Sequence, residues 1–411
     1  MNIEQTYYIV LVFLFLFNIV DYMIIITNIS SLCGIRAARQ AYSAIPWMPV
    51  EGKHQNAILA QSIPNLNALD FDALKQKGFW EGASGEQLDI LVGSPSHRRF
   101  HGLVHCQVIP RSLPEGALLH VESDLYCTSP ALTALLYARN HTFEQTFMLI
   151  MELLGSYTLP ADATRPIERG DYWPFDNDKK EHGANAGQAS KHLSDEDVLS
   201  DEGGERATDA NAIVEAVIQQ IHNTCEPATT LQDLKRFARW ATGRIDEAFR
   251  QAVRLATEGS RSPAESIQYG IFGLPVARGG FNCAALPKGM KLNYKVLFDK
   301  DAVTVASGMP YAICDAYIPA AKVDIEYNGI GHELEEERIH DESRNNGLQS
   351  MGVRTIVISR RQMRDIQALE AIALAIYRFA GVRFRYQIKG YRPRQVKLLN
   401  NLRKAVGLGP V

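Results

Sequence analysis

Two apolar stretches, "YAICDAYI" (311–318) and "KVDIEYN" (322–328), carry three carboxylates where buried strands usually carry none. The Pro319-Ala320-Ala321 turn between them predicts an antiparallel hairpin. With Ala320 and Ala321 at its tip, Asp315 faces Glu326; with Pro319 and Ala320 there, Asp315 faces Asp324 and Glu326 lies on the diagonal. Because side chains alternate along a strand, either register gathers Asp315, Asp324 and Glu326 on one face. Cys314, Ala316, Val323 and Ile325 then form the opposite, apolar face. Like charges opposed across a sheet are destabilising, and a divalent cation among them removes that penalty. Oxygen ligands with few His or Cys nearby select magnesium, manganese or calcium over zinc. The competing reading is an acidic sheet edge facing solvent, neutralised by Lys322 or nearby arginines.

A helix is expected after the hairpin, with Leu334, Leu348 and Met351 as its apolar stripe. Asp341 and Arg344 fall on the same face, turned toward the sheet. An exposed ion pair at that spacing is worth only about 0.2–0.5 kcal/mol, so an inward position favours support of the acidic site or a phosphate contact. Asn328-Gly329 turns the chain out of the second strand, and His332 stands just before the helix.

An Asp, ten residues, a Glu in an apolar strand ending in Asn-Gly, a His, Asp-x-x-Arg, then Leu and Gly before another apolar strand: this order resembles the PD-(D/E)XK nuclease superfamily. Within it, the very-short-patch-repair-like endonucleases are the most similar branch. The resemblance covers roughly residues 262–380, about a quarter of the chain. It implies a restriction-endonuclease-like α-β-β-β-α-β-α core and metal-dependent hydrolysis of phosphodiester bonds in DNA. It further implies that Asp315, Glu326 and the carbonyl of Tyr327 hold Mg2+ (or Mn2+). His332 would assist proton transfer, and Asp341 and Arg344 would support the site.

Two positions depart from the family pattern. Asn328 stands where the superfamily has its Lys, although this branch often has Asp there. Glu265 matches a Glu on the family's first helix, yet "SPAE" (262–265) reads better as a capping box with Ser262 at N-cap and Pro263 at N1. An alternative function is therefore a non-catalytic DNA-binding regulator, antitoxin-like, that keeps a nuclease fold. The N-terminal half resembles abortive-infection antitoxin-type regulators, and no residue is carried over from that likeness.

The elements that must position these groups belong to an α/β chain of 411 residues. Its expected divisions are a hydrophobic segment (1–22), an N-terminal mixed α/β domain (23–175), an acidic disordered linker (176–209), a helical connector (210–261), the endonuclease-like domain (262–380) and a basic C-terminal segment (381–411). In the first domain "LDILVGS", "GLVHCQVI" and "ALLHVESDLYCTS" read as strands, and Ser129-Pro130 opens a helical stretch through Leu154. Arg98, Arg99, His101 and His105 cluster in "SPSHRRFHGLVH" (94–105), either a phosphate contact or a solvated loop.

After Glu370 nine Lys and Arg residues occur and no acid. "FRYQIKGYRPRQVK" interleaves aromatics with them, which suits a polyanion, and Arg392, Arg394 and Lys397 are the expected nucleic-acid contacts. The partners read here are DNA, with room for a homodimer and no small-molecule cofactor. The six cysteines show no paired spacing, as in a reducing cytoplasm. The run 7–26 is about long enough to span a membrane, and Arg36 and Arg39 would then hold the remainder on the cytoplasmic side. The alternative places Met23 as the true start, with "MIIITNISSLCGIRAARQAY" opening a domain as a strand, a Ser or Asn cap and a helix.

Overall fold

The computed structural model describes residues 23–65, 69–99, 101–161, 224–328, 335–385 and 390–411. In the first half run β1 (Ile24–Ile26), α1 (Asn28–Tyr42), β2 (Met48–Pro49), α2 (Gly52–Gln61), α3 (Phe71–Gln76), β3 (Leu88–Val92), β4 (Val104–Val108), β5 (Leu118–Glu122), β6 (Leu125–Thr128), α4 (Pro130–Ala138) and α5 (Phe143–Leu154). Their sheet has the order β2-β5-β6-β1-β3-β4. The three isoleucines of β1 sit inside it, antiparallel to β3 and parallel to β6, with Ile25 and Ile26 fully buried. The end of the hydrophobic run 7–26 is thus a sheet strand and not the end of a membrane helix. Among the described residues no helix is long and apolar enough to cross a membrane. Residues 1–22, the acidic stretch 176–209 and the helix expected over 210–222 lie outside the described residues.

Three local expectations are corrected here. The α1 helix follows β1, but Thr27 makes no side-chain cap; the Asp89 carboxylate on β3 accepts from the Ile29 N–H at 3.2 Å instead. Arg36 and Arg39 do not stand as flanking charges of a membrane span; both are buried. Arg36 is buried in a two-point pair with Glu152 on α5 (2.9 and 2.6 Å), and Arg39 donates to the Glu152, Gly155 and Glu226 carbonyls. The stretch 130–154 is two helices, because Thr142 and Gln145 form a capping box that starts a second one.

The second half contains α6 (Leu231–Trp240), α7 (Glu247–Leu255), α8 (Pro263–Gly273), β7 (Lys291–Leu297), α9 (Lys300–Val305), β8 (Tyr311–Ile318), β9 (Val323–Asn328), α10 (Glu335–Ser350), β10 (Arg354–Ser359), α11 (Ile366–Phe379) and α12 (Tyr391–Ala405). Thr230 caps α6 as its position before the apolar run requires. The sheet order is β10-β9-β8-β7, with β9 and β10 parallel and the other pairs antiparallel. From α8 onward the elements follow the expected helix-strand-strand-strand-helix-strand-helix order, with the short α9 inserted after the first strand.

One apolar cluster joins the halves: Ile25 and Leu91 of the first sheet and Ile325 and Ile358 of the second share it with Phe147, Ile271 and Leu402 on helices between them. On the other face of the second sheet, Leu348 of α10 packs with Val296, Ala312, Cys314 and Val353. Gly347 permits this approach. A Cβ there would lie 2.4 Å from the Phe298 ring, so α10 comes closer than any larger residue allows.

Candidate active site

The hairpin adopts the register that sets Asp315 opposite Glu326. Ala316 pairs with Ile325, Tyr317 with Asp324 and Ile318 with Val323. The tip is wider than two residues: Ala321 N–H bonds the Ile318 carbonyl, and Lys322 has left-handed backbone (φ 49°) before β9 begins. The paired rungs end at Ala316 and Ile325, so Asp315 and Glu326 stand just beyond the last one. The Tyr327 backbone N–H there donates to the Asp315 carboxylate.

The expected alternation fails at Asp315. Ala316, Ile318, Val323 and Ile325 are in the main core, but Ala312 and Cys314 pack on the α10 side with Leu348. β7 is irregular at the same level: Asn293, opposite Asp315 in the β7–β8 register, has φ 46°, and the ladder skips that rung. Cys314 leaves the apolar face the sequence assigns it and meets Asp324, while Asn293 donates to Glu265 at 2.6 Å.

An open cleft of about 560 Å³ results, lined by Arg261, Asn293, Asp315, Glu326, Asp341 and Arg344 among others. Tyr327 also reaches its wall, and Val357 of β10, the register partner of Glu326, forms part of its floor. Asp341 is exposed at the rim. Arg344 reaches the sheet, as its inward position predicts. It pairs with Glu326, donates to Asp324 Oδ2 at 3.1 Å, and donates to the Ile313 carbonyl at 2.6 and 3.2 Å.

Asp324 shares this arrangement without lining the cleft. It is fully buried, and its Oδ1 has no hydrogen-bond partner among the described residues. Three converging cleft carboxylates are thus replaced by two, with the third locked behind Arg344. Lys322 neutralises none of them; its Nζ donates to the Met351 carbonyl. His332 lies outside the described residues, and Asn328 is the last residue of β9.

Like charge and burial act together here. Burial raises the pKa of Asp315 most, the Glu326 carboxylate raises it further, and the Tyr327 N–H, Arg344 and Arg261 offset part of this. Asp324 is raised by burial and then by Glu326. The neighbouring carboxylates raise the pKa of Arg344 despite its burial.

Glu265 reads as a cap in the sequence, and the cap exists. Ser262 accepts from the Glu265 N–H at 3.2 Å, and Glu265 reaches back to the Arg261 N–H at 2.9 Å. Yet Glu265 also lies close enough to Asp315 to feel its charge, and burial pushes its carboxyl up to about 7. Arg261, Asn293 and Glu265 are the site neighbours that sequence reasoning does not place in the cleft. Only the capping box beside Arg261 carries a signal.

The donor chemistry suits a hard cation. Asp315 and Glu326 supply carboxylate oxygens across one rung, in a cleft whose acids all gain from added positive charge. Among the described residues no three His, Cys, Asp or Glu side chains form a metal-ligand group. Magnesium is commonly held by one or two carboxylates with water completing its shell, so Asp315 and Glu326 fit that mode.

Arg392, Arg394 and Lys397 sit on α12, whose Leu398, Leu399 and Leu402 are buried in the main core. Arg392, Arg394 and Lys397 are exposed on its outer side; Arg392 pairs with Glu370, and Arg394 donates to the Ala277 carbonyl at 3.1 Å. Comparison with known proteins returns no match among family models, curated proteins or solved structures.

Proposed function

We propose that the chain is a metal-dependent endonuclease that hydrolyses phosphodiester bonds in DNA at the cleft between β8, β9 and α10. The observation that supports this most is the register that sets Asp315 opposite Glu326 where the β8–β9 rungs end. The element order from α8 to α11 agrees with the restriction-endonuclease-like core implied by the resemblance. Asp315 and Glu326 would hold Mg2+, with the Tyr327 carbonyl beside them. Bound there, the cation polarises a phosphate and lowers the pKa of a water.

The chain's own residues do the rest. The Tyr327 N–H fixes Asp315, and Arg344 anchors Glu326 from the helix side. Asp341, exposed on the cleft wall, would support the site. His332 remains the residue proposed for proton transfer. A cytoplasmic setting goes with this reading, since all six cysteines are free.

A second reading, a DNA-binding regulator without cleavage, is favoured by one interaction: Arg344 already neutralises Glu326. Asn328 at the Lys position points the same way. Plasmid nicking with and without magnesium separates the two. Cleavage by the wild type that needs magnesium and is lost in Asp315→Ala and Glu326→Gln supports the enzyme. A wild type that binds but never nicks, or variants that cleave at the wild-type rate, rejects it.

A further inference from the structure

A second polar cleft lies in the other half of the molecule, on the free edge of the first sheet. Strands β3 and β4 run parallel and pair Asp89 with His105, so the two side chains leave the sheet as neighbours. His105 Nδ1 is 2.7 Å from Asp89 Oδ1, and the other Asp89 oxygen accepts from the Ile29 N–H at 3.2 Å. The carboxylate is thus fixed from two sides and nearly buried, while the imidazole is half exposed. With Nδ1 committed to Asp89, the ring presents Nε2 outward.

His105 lines a cleft of about 590 Å³ with Arg98, Arg99, His101 and Gln87. His101 Nδ1 accepts from the Leu103 N–H at 3.2 Å, which makes Nε2 its donor nitrogen. Arg99 uses one guanidinium nitrogen on the Ser96 and Arg98 carbonyls and keeps the rest of its fork. Both arginines are exposed, and among the described residues neither is ion-paired and no Asp or Glu lines this cleft. Arg98, Arg99 and His101 converge here as donors, and His105, held by Asp89, closes the same cleft with its outward Nε2.

We propose that this cleft binds the phosphate of a phosphomonoester, with Arg98 and Arg99 taking its oxygens and His101 and His105 completing the shell. Three terminal oxygens and up to two negative charges make use of that many donors, whereas a carboxylate offers two oxygens and one charge. Asp89 is a positioning residue that acts through His105. The phosphate belongs either to a small phosphorylated compound or to the end of a nucleic-acid strand, and the assignment is independent of the acidic cleft.

Calorimetric titration of the full chain tests it with three probes: inorganic phosphate, a 5′-phosphorylated oligonucleotide, and the same oligonucleotide ending in 5′-hydroxyl. Saturable phosphate binding is expected, weakened at least about tenfold in Arg98→Ala/Arg99→Ala, because the variant loses the charge-assisted hydrogen bonds of both guanidinium groups. The Arg98→Lys/Arg99→Lys variant should recover part of the loss, and Asp315→Ala should bind like the wild type. Tighter binding of the 5′-phosphorylated strand than of its hydroxyl twin, with the difference lost in Arg98→Ala/Arg99→Ala, identifies a strand end; phosphate binding without that difference identifies a small compound. Asp89→Asn should loosen the His105 ring in 15N spectra, but Asp89 also caps α1, so the exposed arginine pair carries the decision. No saturable phosphate binding by the wild type, or a double alanine variant that binds phosphate as the wild type does, overturns the proposal.

Discussion

Arg344 is where the acidic cleft can be tested without knowing its substrate. Its guanidinium serves the fully buried Asp324, the half-buried Glu326 and the Ile313 carbonyl at once. Two charges about 4 Å apart attract by about 4 kcal/mol at an effective dielectric constant of about 20. Arg344→Met keeps the side chain's bulk and removes that attraction, leaving Asp324 buried with no cation. Losing one partner of a buried pair costs about 3–5 kcal/mol. Protonation of Asp324 sets a ceiling on the cost, because the folded state can take up a proton instead of holding a bare charge. Asp324 is already pushed up to about 8 with Arg344 in place, so the deficit should be level below that pH and grow above it, by up to about 1.4 kcal/mol for each pH unit over which only the variant's Asp324 stays protonated. Arg344→Met/Asp324→Asn removes the stranded charge and should recover most of the loss.

The readout must be local. All four tryptophans (Trp47, Trp80, Trp173 and Trp240) precede α8, so none of them stands in β8 or β9. Hydrogen–deuterium exchange of peptides covering β8 and β9 follows those strands. Faster exchange there in Arg344→Met, rescued in the double variant, is the expected pattern. A single variant within about 1 kcal/mol of wild type, or a double variant no more protected than the single, refutes this account of the cluster.

Glu265 gives a pH slope of its own. Its folded pKa of about 7 lies above the ordinary 4.5, so it contributes stability that is present below pH 4.5 and lost as pH rises through about 7. The contribution is about 3 kcal/mol at most, and Glu265→Gln should flatten the fall of the urea midpoint over that range; an unchanged slope assigns it elsewhere. For nucleic acid, charge reversal at Arg392, Arg394 and Lys397 together should weaken binding across all sequences and lower the salt slope by about 0.9 for each phosphate no longer neutralised. Anisotropy titrations at two ionic strengths decide it, an unchanged slope making α12 a packed helix and nothing more.

What the sequence made legible was local, and what it hid depended on distant partners. The Pro-Ala-Ala turn and the period-two pattern limited Asp315 to facing Glu326 or Asp324, and the structure adopts the first. They could not show that Asn293, on another strand, would adopt a left-handed backbone or that Cys314 would lie on the other face. Nor does alternation say which of two carboxylates on one face a helix will cover; α10 covers Asp324 and leaves Glu326 in the cleft. Arg36 and Arg39 read only as basic residues following a hydrophobic run because their partner Glu152 is more than 100 residues away in sequence. The dyad of Asp89 and His105 needed the register of two parallel strands, which the crossover loop between them does not specify.

The charges around the second sheet bear on which of the two readings survives. Glu265, Asp315, Asp324, Glu326, Asp341 and Glu342 stand in or behind the cleft against Arg261 and Arg344. Such an excess is a stability cost, visible in the raised pKa of Asp315, Asp324 and Glu265. It also repels a polyanion, so a DNA backbone cannot approach Asp315 and Glu326 unless positive charge is added between them. On the proposed reading the exposed face of α12 carries no such penalty: Arg394 and Lys397 would meet phosphate directly, and Arg392 would exchange Glu370 for it. A chain that uses only α12 binds DNA equally well with or without magnesium. A chain that brings the phosphate into the cleft must gain affinity when the cation is present, and Glu326→Gln must remove that gain while leaving the magnesium-independent part intact.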